Sequence, residues 1–158
     1  MVWCGIWKNS IIDSFFFDGT VSGDVYLCML NEETIPNVLN SDGEFPTWFQ
    51  QDGAPAHSSI HMRERLHLQF PGHLIGLQGP VEWLARSRDL TPLDFYLWGH
   101  LKALVYAQKI QNAAHLQERI INACYTIIPD TIRHVIADWI SHLHLCINHN
   151  GEHIEHIL

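Results

Sequence analysis

Apolar residues dominate the first seventeen positions: "MVWCGIW", then Lys8-Asn9-Ser10, then "IIDSFFF", closed by Asp18-Gly19. Two short β-branched and aromatic runs around a polar break predict a β-hairpin. The period then lengthens. Tyr26, Met29 and Leu30 fall at i, i+3 and i+4, with Ser22 or Asp24 as cap, which predicts a helix over 22–39 that kinks or ends near Pro36. A polar loop over 40–47 leads into "WFQQD", a short strand ending at Asp52. After a turn at Pro55, Ile60, Leu66 and Leu68 with Arg63, Glu64 and Arg65 between them predict an amphipathic helix over 57–68. "HLIGL", residues 73–77, reads as another strand. Strand, helix, strand in sequence is an α/β signature, with a right-handed crossover expected for parallel strands.

Residues 78–91 read as a loop around Gly79-Pro80. Pro92 then opens a helix, "PLDFYLWGHLKALVY", from the first-turn position that proline favours. Two further helical stretches are expected over about 113–127 and 129–147, followed by a polar, His-rich tail from Asn148.

At 158 residues the chain fits one domain, 1–158, able to bury roughly 70% of its unfolded surface. Its content of 47% hydrophobic residues is that of a globular protein. No run of about 18 apolar residues occurs, so no membrane span is expected, and the first residues do not read as a signal peptide. An intracellular protein is the default. Cys4, Cys28, Cys124 and Cys146 lie far apart without a C-x-x-C pair and are expected to be reduced core thiols. A net charge of −8 argues against autonomous, tight binding to nucleic acid.

Candidate chemistry centres on two acids. Asp52 sits at a strand end; Asp94 sits in the first turn of a helix, where a carboxylate is also favoured simply by the helix dipole. Two such carboxylates, with a further acid, could hold Mg²⁺, and paired ions could activate water and stabilise the leaving oxygen in phosphodiester cleavage. His57 and His61 are four apart on a predicted helix, and His149, His153 and His156 recur at helical spacing, but neither set has the donor pattern of a closed zinc site. Phe95, Tyr96 and Trp98 read as core rather than as a base-stacking platform.

"QQDGAPAH" (residues 50–57) followed by "EWLARSRDLTPLDFYLWGHLK" (residues 82–102) resembles the catalytic half of mariner-like transposases. In that family an Asp-(Asn/Gly)-x-Pro-x-His motif carries the second catalytic acid, and a Ser-Pro-Asp-Leu-x-Pro-x-(Asp/Glu) motif carries the third. The resemblance implies that Asp52 and Asp94 are catalytic metal ligands, that His57 supports Asp52, and that Asp89 is the loop Asp beside the third acid. It also implies an α/β, partial RNase H-like fold: a mixed sheet flanked by helices, with a helical C-terminal part over about 113–148. Two Mg²⁺ or Mn²⁺ ions would be the cofactors, DNA at transposon ends the partner of the full-length parent, and the nucleus the place of action. Leu84 and Arg88 stand where the family has prolines, which implies a less rigid loop before Asp94. The family's first catalytic Asp, with its central strand, lies upstream of "VWCGI", so the resemblance implies that this chain alone does not cleave DNA. Asp13 and Asp18 flank an edge strand and are not expected to replace it. The alternative is a non-enzymatic module that forms a homodimer or pairs with full-length transposase.

Overall fold

A computed structural model describes the chain except residues 43–47, 84–86 and 153; the side chains of residues 13 and 39–42 also lie outside the described set. The expected loop over 40–47, Leu84, His153 and the Asp13 side chain therefore fall wholly or largely outside it. The rest divides into two compact units, Phe17–Arg86 with Met1, and Val2–Phe16 with Ser87–Leu158.

In the first unit the helical run is longer than its proline suggests. Helix α1 (Gly23–Met29) passes through a wide turn, Leu30–Thr34, into α2 (Ile35–Asp42). The Ile35 amide donates five residues back to the Leu30 carbonyl. Pro36 lacks an N–H and its ring crowds the carbonyl four residues earlier, so a π-type turn just ahead of it lets the helix continue instead of ending. The run therefore takes in residues 40–42, where a loop was expected. Ser22 caps it, accepting from the Val25 amide at 3.3 Å.

Strand β3 (Phe49–Gln50) is followed by a 3₁₀ turn (Pro55–Ser58), helix α3 (Ile60–Gln69) and strand β4 (Leu74–Gly76). Strands β3 and β4 are parallel, pairing Phe49 with Leu74, so the expected strand–helix–strand unit is present. The helix starts later than the pattern predicts because Ser59, not a residue before His57, caps it by accepting from Met62 N. Its buried face is also different. Met62, Leu66 and Phe70 are buried at i, i+4 and i+8, whereas Ile60 and Leu68 are 63% and 79% exposed. A short strand, β5 (Val81–Glu82), adds parallel to β4 within the stretch expected to be loop. Gln78, at φ 56°, turns the chain, and Gly79 passes so close that a Cβ there would lie 2.8 Å from the Leu74 carbonyl oxygen.

The second unit opens with the expected hairpin. Strands β1 (Val2–Trp7) and β2 (Ser10–Phe16) are antiparallel about Lys8-Asn9, where Lys8 takes the left-handed φ of 52°. The described strands thus form two small sheets, one antiparallel and one parallel, rather than one mixed sheet. Val2, Cys4 and Ile6 alternate along β1 and turn one face to the core. Opposite them, a wide turn over Leu93–Leu97 leads into α4 (Trp98–Val105), which packs with α5 (Ala113–Tyr125). Leu97, Leu101 and Val105 recur every four residues and are buried with Ala123 and Cys4. Each fully buried leucine contributes roughly 1.5–3 kcal/mol. Tyr96 and Trp98 pack against this cluster, as expected of core aromatics. Helix α6 (Pro129–Asn148) opens on a proline and buries Ile132 and Val135. All four cysteines are free, but only Cys4 is buried and Cys28 is exposed, so the core-thiol expectation holds in part. Cys4 donates to or accepts from Cys124, and that contact together with burial pushes its thiol pKa up.

Candidate functional site

β3 ends at Gln50, two residues short of the expected strand end, and the alternation carried on past it separates the next two residues. Gln51 turns inward, 7% exposed, and Asp52 turns outward with its side chain 55% exposed. Beyond Asp52 the Gly53-Ala54-Pro55 turn folds back. The Ala54 amide donates to Asp52 Oδ1 at 3.1 Å, and His57 Nδ1 lies 2.6 Å from the same oxygen. A carboxylate only accepts, so Nδ1 carries the proton of this bond. Both partners hold Oδ1, which leaves Oδ2 for a ligand. The His57 bond, with help from the Ala54 amide, holds the Asp52 carboxyl below its ordinary pKa despite some desolvation.

His57 is fixed in turn. Its ring packs on Tyr26 of α1 at a tilt of 35°, with centroids 4.3 Å apart, and its carbonyl accepts from Gln51 Nε2 at 3.4 Å. The Tyr26 hydroxyl donates to Gln51 Oε1 at 3.4 Å, so Tyr26 and Gln51 together seat the turn that aims His57 at Asp52. Neither was expected at the site from sequence, where Tyr26 read only as part of a helix face. The alternation in "WFQQD" was the available signal for Gln51, because it puts one glutamine on the buried face. Gly23 permits this packing: a Cβ there would lie 2.6 Å from Ser59 Cβ.

Asp94 belongs to the second unit. It is exposed in the first turn of the wide helical segment over Leu93–Leu97, where the Trp98 amide donates five residues back to the Leu93 carbonyl. Thr91 anchors that start, its carbonyl accepting from the Asp94 and Phe95 amides at 3.0 and 3.1 Å. Just before it, Arg88–Leu90 form a 3₁₀ turn and Asp89 is buried, 4% exposed. The structure thus pairs Asp52 with His57, and sets Asp89 one turn ahead of Asp94.

The other histidine expectations are corrected. His57 lies in the 3₁₀ turn and His61 on α3, so they do not share a helix face. Of the second set, His149 follows the end of α6 at Asn148, Asn150 and Gly151 beyond it take left-handed φ values, and His153 lies outside the described residues. Carboxylates are the donors Mg²⁺ and Mn²⁺ take, and Asp52 suits them by type. Among the described residues, however, no three His, Cys, Asp or Glu gather into a group that could hold a metal ion.

No protein-family model matches the chain. The Tc1 transposase of Caenorhabditis elegans is 31% identical over 93 residues, taking in 57% of this chain and 30% of that protein. Solved structures of the Mos1 transposase catalytic domain superpose on it. One, of the catalytic domain of the Mos1 mariner transposase, gives a TM-score of 0.79 at 18% identity and covers 98% of this chain and 74% of that one. Another, with raltegravir and Mn, gives 0.79 and covers 98% and 76%. In sequence the chain is similar to the Tc1 transposase, and in fold it is similar to the Mos1 catalytic domain. It covers under a third of the Tc1 transposase it matches. The likeness to Mos1 establishes the RNase H-like catalytic-domain fold expected from the motifs. Among the described residues no helix is long and apolar enough to cross a membrane.

Proposed function

We propose that this chain forms part of the catalytic region of a mariner-like DNA transposase, in which Asp52 and Asp94 supply carboxylates to a divalent-metal centre acting on DNA. The observation that carries the reading is the Asp52 arrangement. One oxygen is fixed by His57 and the Ala54 amide, the other is left for a ligand, and the carboxyl is kept ionised. The Mos1 catalytic domain has been solved with Mg and with Mn, which supports either ion as the cofactor. Within this reading the ions would polarise a phosphodiester and its attacking water. The protein's own residues do the positioning: His57 orients Asp52, Tyr26 and Gln51 hold His57, and the Thr91 carbonyl sets the helix start that presents Asp94. The two units act as one catalytic domain, DNA is the substrate, and the nucleus is the place of work.

The net charge of −8 means that the grip on DNA comes from elsewhere in the assembly. The test is a chimera in which residues 49–102 replace the matching segment of an active mariner-like transposase. Strand cleavage should persist and be lost with either Asp52→Asn or Asp94→Asn. A folded chimera whose cleavage survives both substitutions sinks the assignment.

A further inference from the structure

Within the second unit, the 3₁₀ turn ahead of Asp94 is held from far along the chain. Trp139 Nε1 donates to the Leu90 carbonyl at 2.9 Å, and His142 Nδ1 lies 2.9 Å from the Asp89 carbonyl, both from α6. The His142 ring also packs on Phe95, centroids 4.6 Å apart. A third tie comes from the tail. The Ile154 amide donates to Asp89 Oδ2 at 3.0 Å, and the Ile154 side chain is fully buried. Burying a carboxylate is costly unless it is hydrogen-bonded, so a carboxylate 4% exposed over a tail amide is an arrangement that either partner alone would not sustain.

We propose that Asp89 is a positioning residue and that the segment around Ile154 is a strap: their bond locks the Arg88–Leu90 turn and so fixes the start of the helix that carries Asp94. Its meaning for chemistry rests on the reading of Asp94 as a metal ligand, but the bond and its mechanical consequence do not. The turn delivers Thr91, whose carbonyl takes the Asp94 and Phe95 amides, so slack in the turn appears first at those two amides.

Amide hydrogen exchange on the full chain, without DNA or metal, tests the strap separately from the function. Asp89→Leu removes the acceptor, deletion of residues 152–158 removes the donor, and Asp89→Asn keeps an acceptor oxygen in place. Exchange at Asp94 and Phe95 should quicken about tenfold in the first two, since leaving a buried polar group unpaired costs roughly that factor or more. Exchange should stay near the wild-type rate in Asp89→Asn and, in all three, along α5. Combining Asp89→Leu with the deletion should add nothing beyond either alone, as expected of two halves of one contact. Rates at Asp94 and Phe95 within about twofold of wild type in the deletion variant would overturn the strap, as would effects that multiply in the combined variant. Should Asp89→Leu not fold, the deletion and Asp89→Asn decide alone.

Discussion

Asp52 is held by its neighbours in sequence, whereas the turn leading to Asp94 is held by residues 49 to 65 positions away. Around Asp52 the partners of the carboxylate are Ala54 and His57, two and five residues on, and one short turn brings them together. Around Asp94 the partners of the preceding turn are Trp139, His142 and Ile154. A locally closed acid keeps its geometry whenever its own turn forms. A remotely braced one depends on the packing of an entire unit.

The largest expected effect comes from the cores beneath these two arrangements. Leu97 and Leu66 are both fully buried, Leu97 at the end of the turn that carries Asp94 and Leu66 on the buried face of α3, the helix that follows His57. Truncation to alanine leaves a cavity and costs about 2–5 kcal/mol. If bracing differs as described, Leu97→Ala should also loosen the Asp94 amide in exchange measurements, while Leu66→Ala leaves the Asp52–His57 bond detectable until global unfolding. Urea unfolding gives the stability change, and the imidazole proton signal of His57 reports the bond. Loss of that signal in folded Leu66→Ala would break the comparison.

Gly23→Ala comes next and attacks the Asp52 side through a remote support, the packing of α1. The new methyl would meet Ser59 Cβ at 2.6 Å, and something must shift. Overpacking of this kind costs about 1–3 kcal/mol. Because α1 carries Tyr26, the displacement should also unstack Tyr26 from His57. Thermal unfolding gives the magnitude; an unchanged His57 ring environment would show that α1 does not seat the turn. Ser59→Ala, removing the cap that accepts from Met62 N, should cost about 1 kcal/mol and fray the first turn of α3 with the Asp52–His57 bond intact. Circular dichroism and the same imidazole signal separate the two outcomes.

The same division between near and far explains what was legible in the sequence. The hairpin, the Pro92 helix start, both later helices and the acid just beyond β3 rest on alternation, caps and prolines, which are properties of neighbouring residues. Motif spacing likewise pointed to His57 beside Asp52. What escaped depends on distant partners. Ile60 and Leu68 look like a core face until the Ser59 cap and the packing of Met62, Leu66 and Phe70 decide otherwise. Strand β5 exists because Gly79 lets the chain approach the Leu74 carbonyl, a contact no periodicity records. The π-type turns at Leu30–Thr34 and Leu93–Leu97 leave the apolar spacing almost unchanged. The Asp89–Ile154 bond spans 65 residues and has no local signature.

The smallest effect, and the sharpest test of local closure, is the titration of Asp52. Its pKa lies below the ordinary 3.8, chiefly through the bond from His57 and secondarily through the Ala54 amide, against a desolvation that pushes upward. A depressed carboxylate pKa stabilises the folded state above the unfolded value, and that contribution disappears as pH falls through the folded value. The window therefore lies below pH 3.8, with no pH dependence from this group near neutrality. Since the Asp52 side chain is more than half exposed, solvent screens the interaction and the gain in stability is small. His57→Ala removes the main cause, so the Asp52 carboxyl carbon, followed by NMR, should titrate higher than in the wild type. An Asp52 midpoint that stays where it was would mean that the Ala54 amide alone holds the carboxylate.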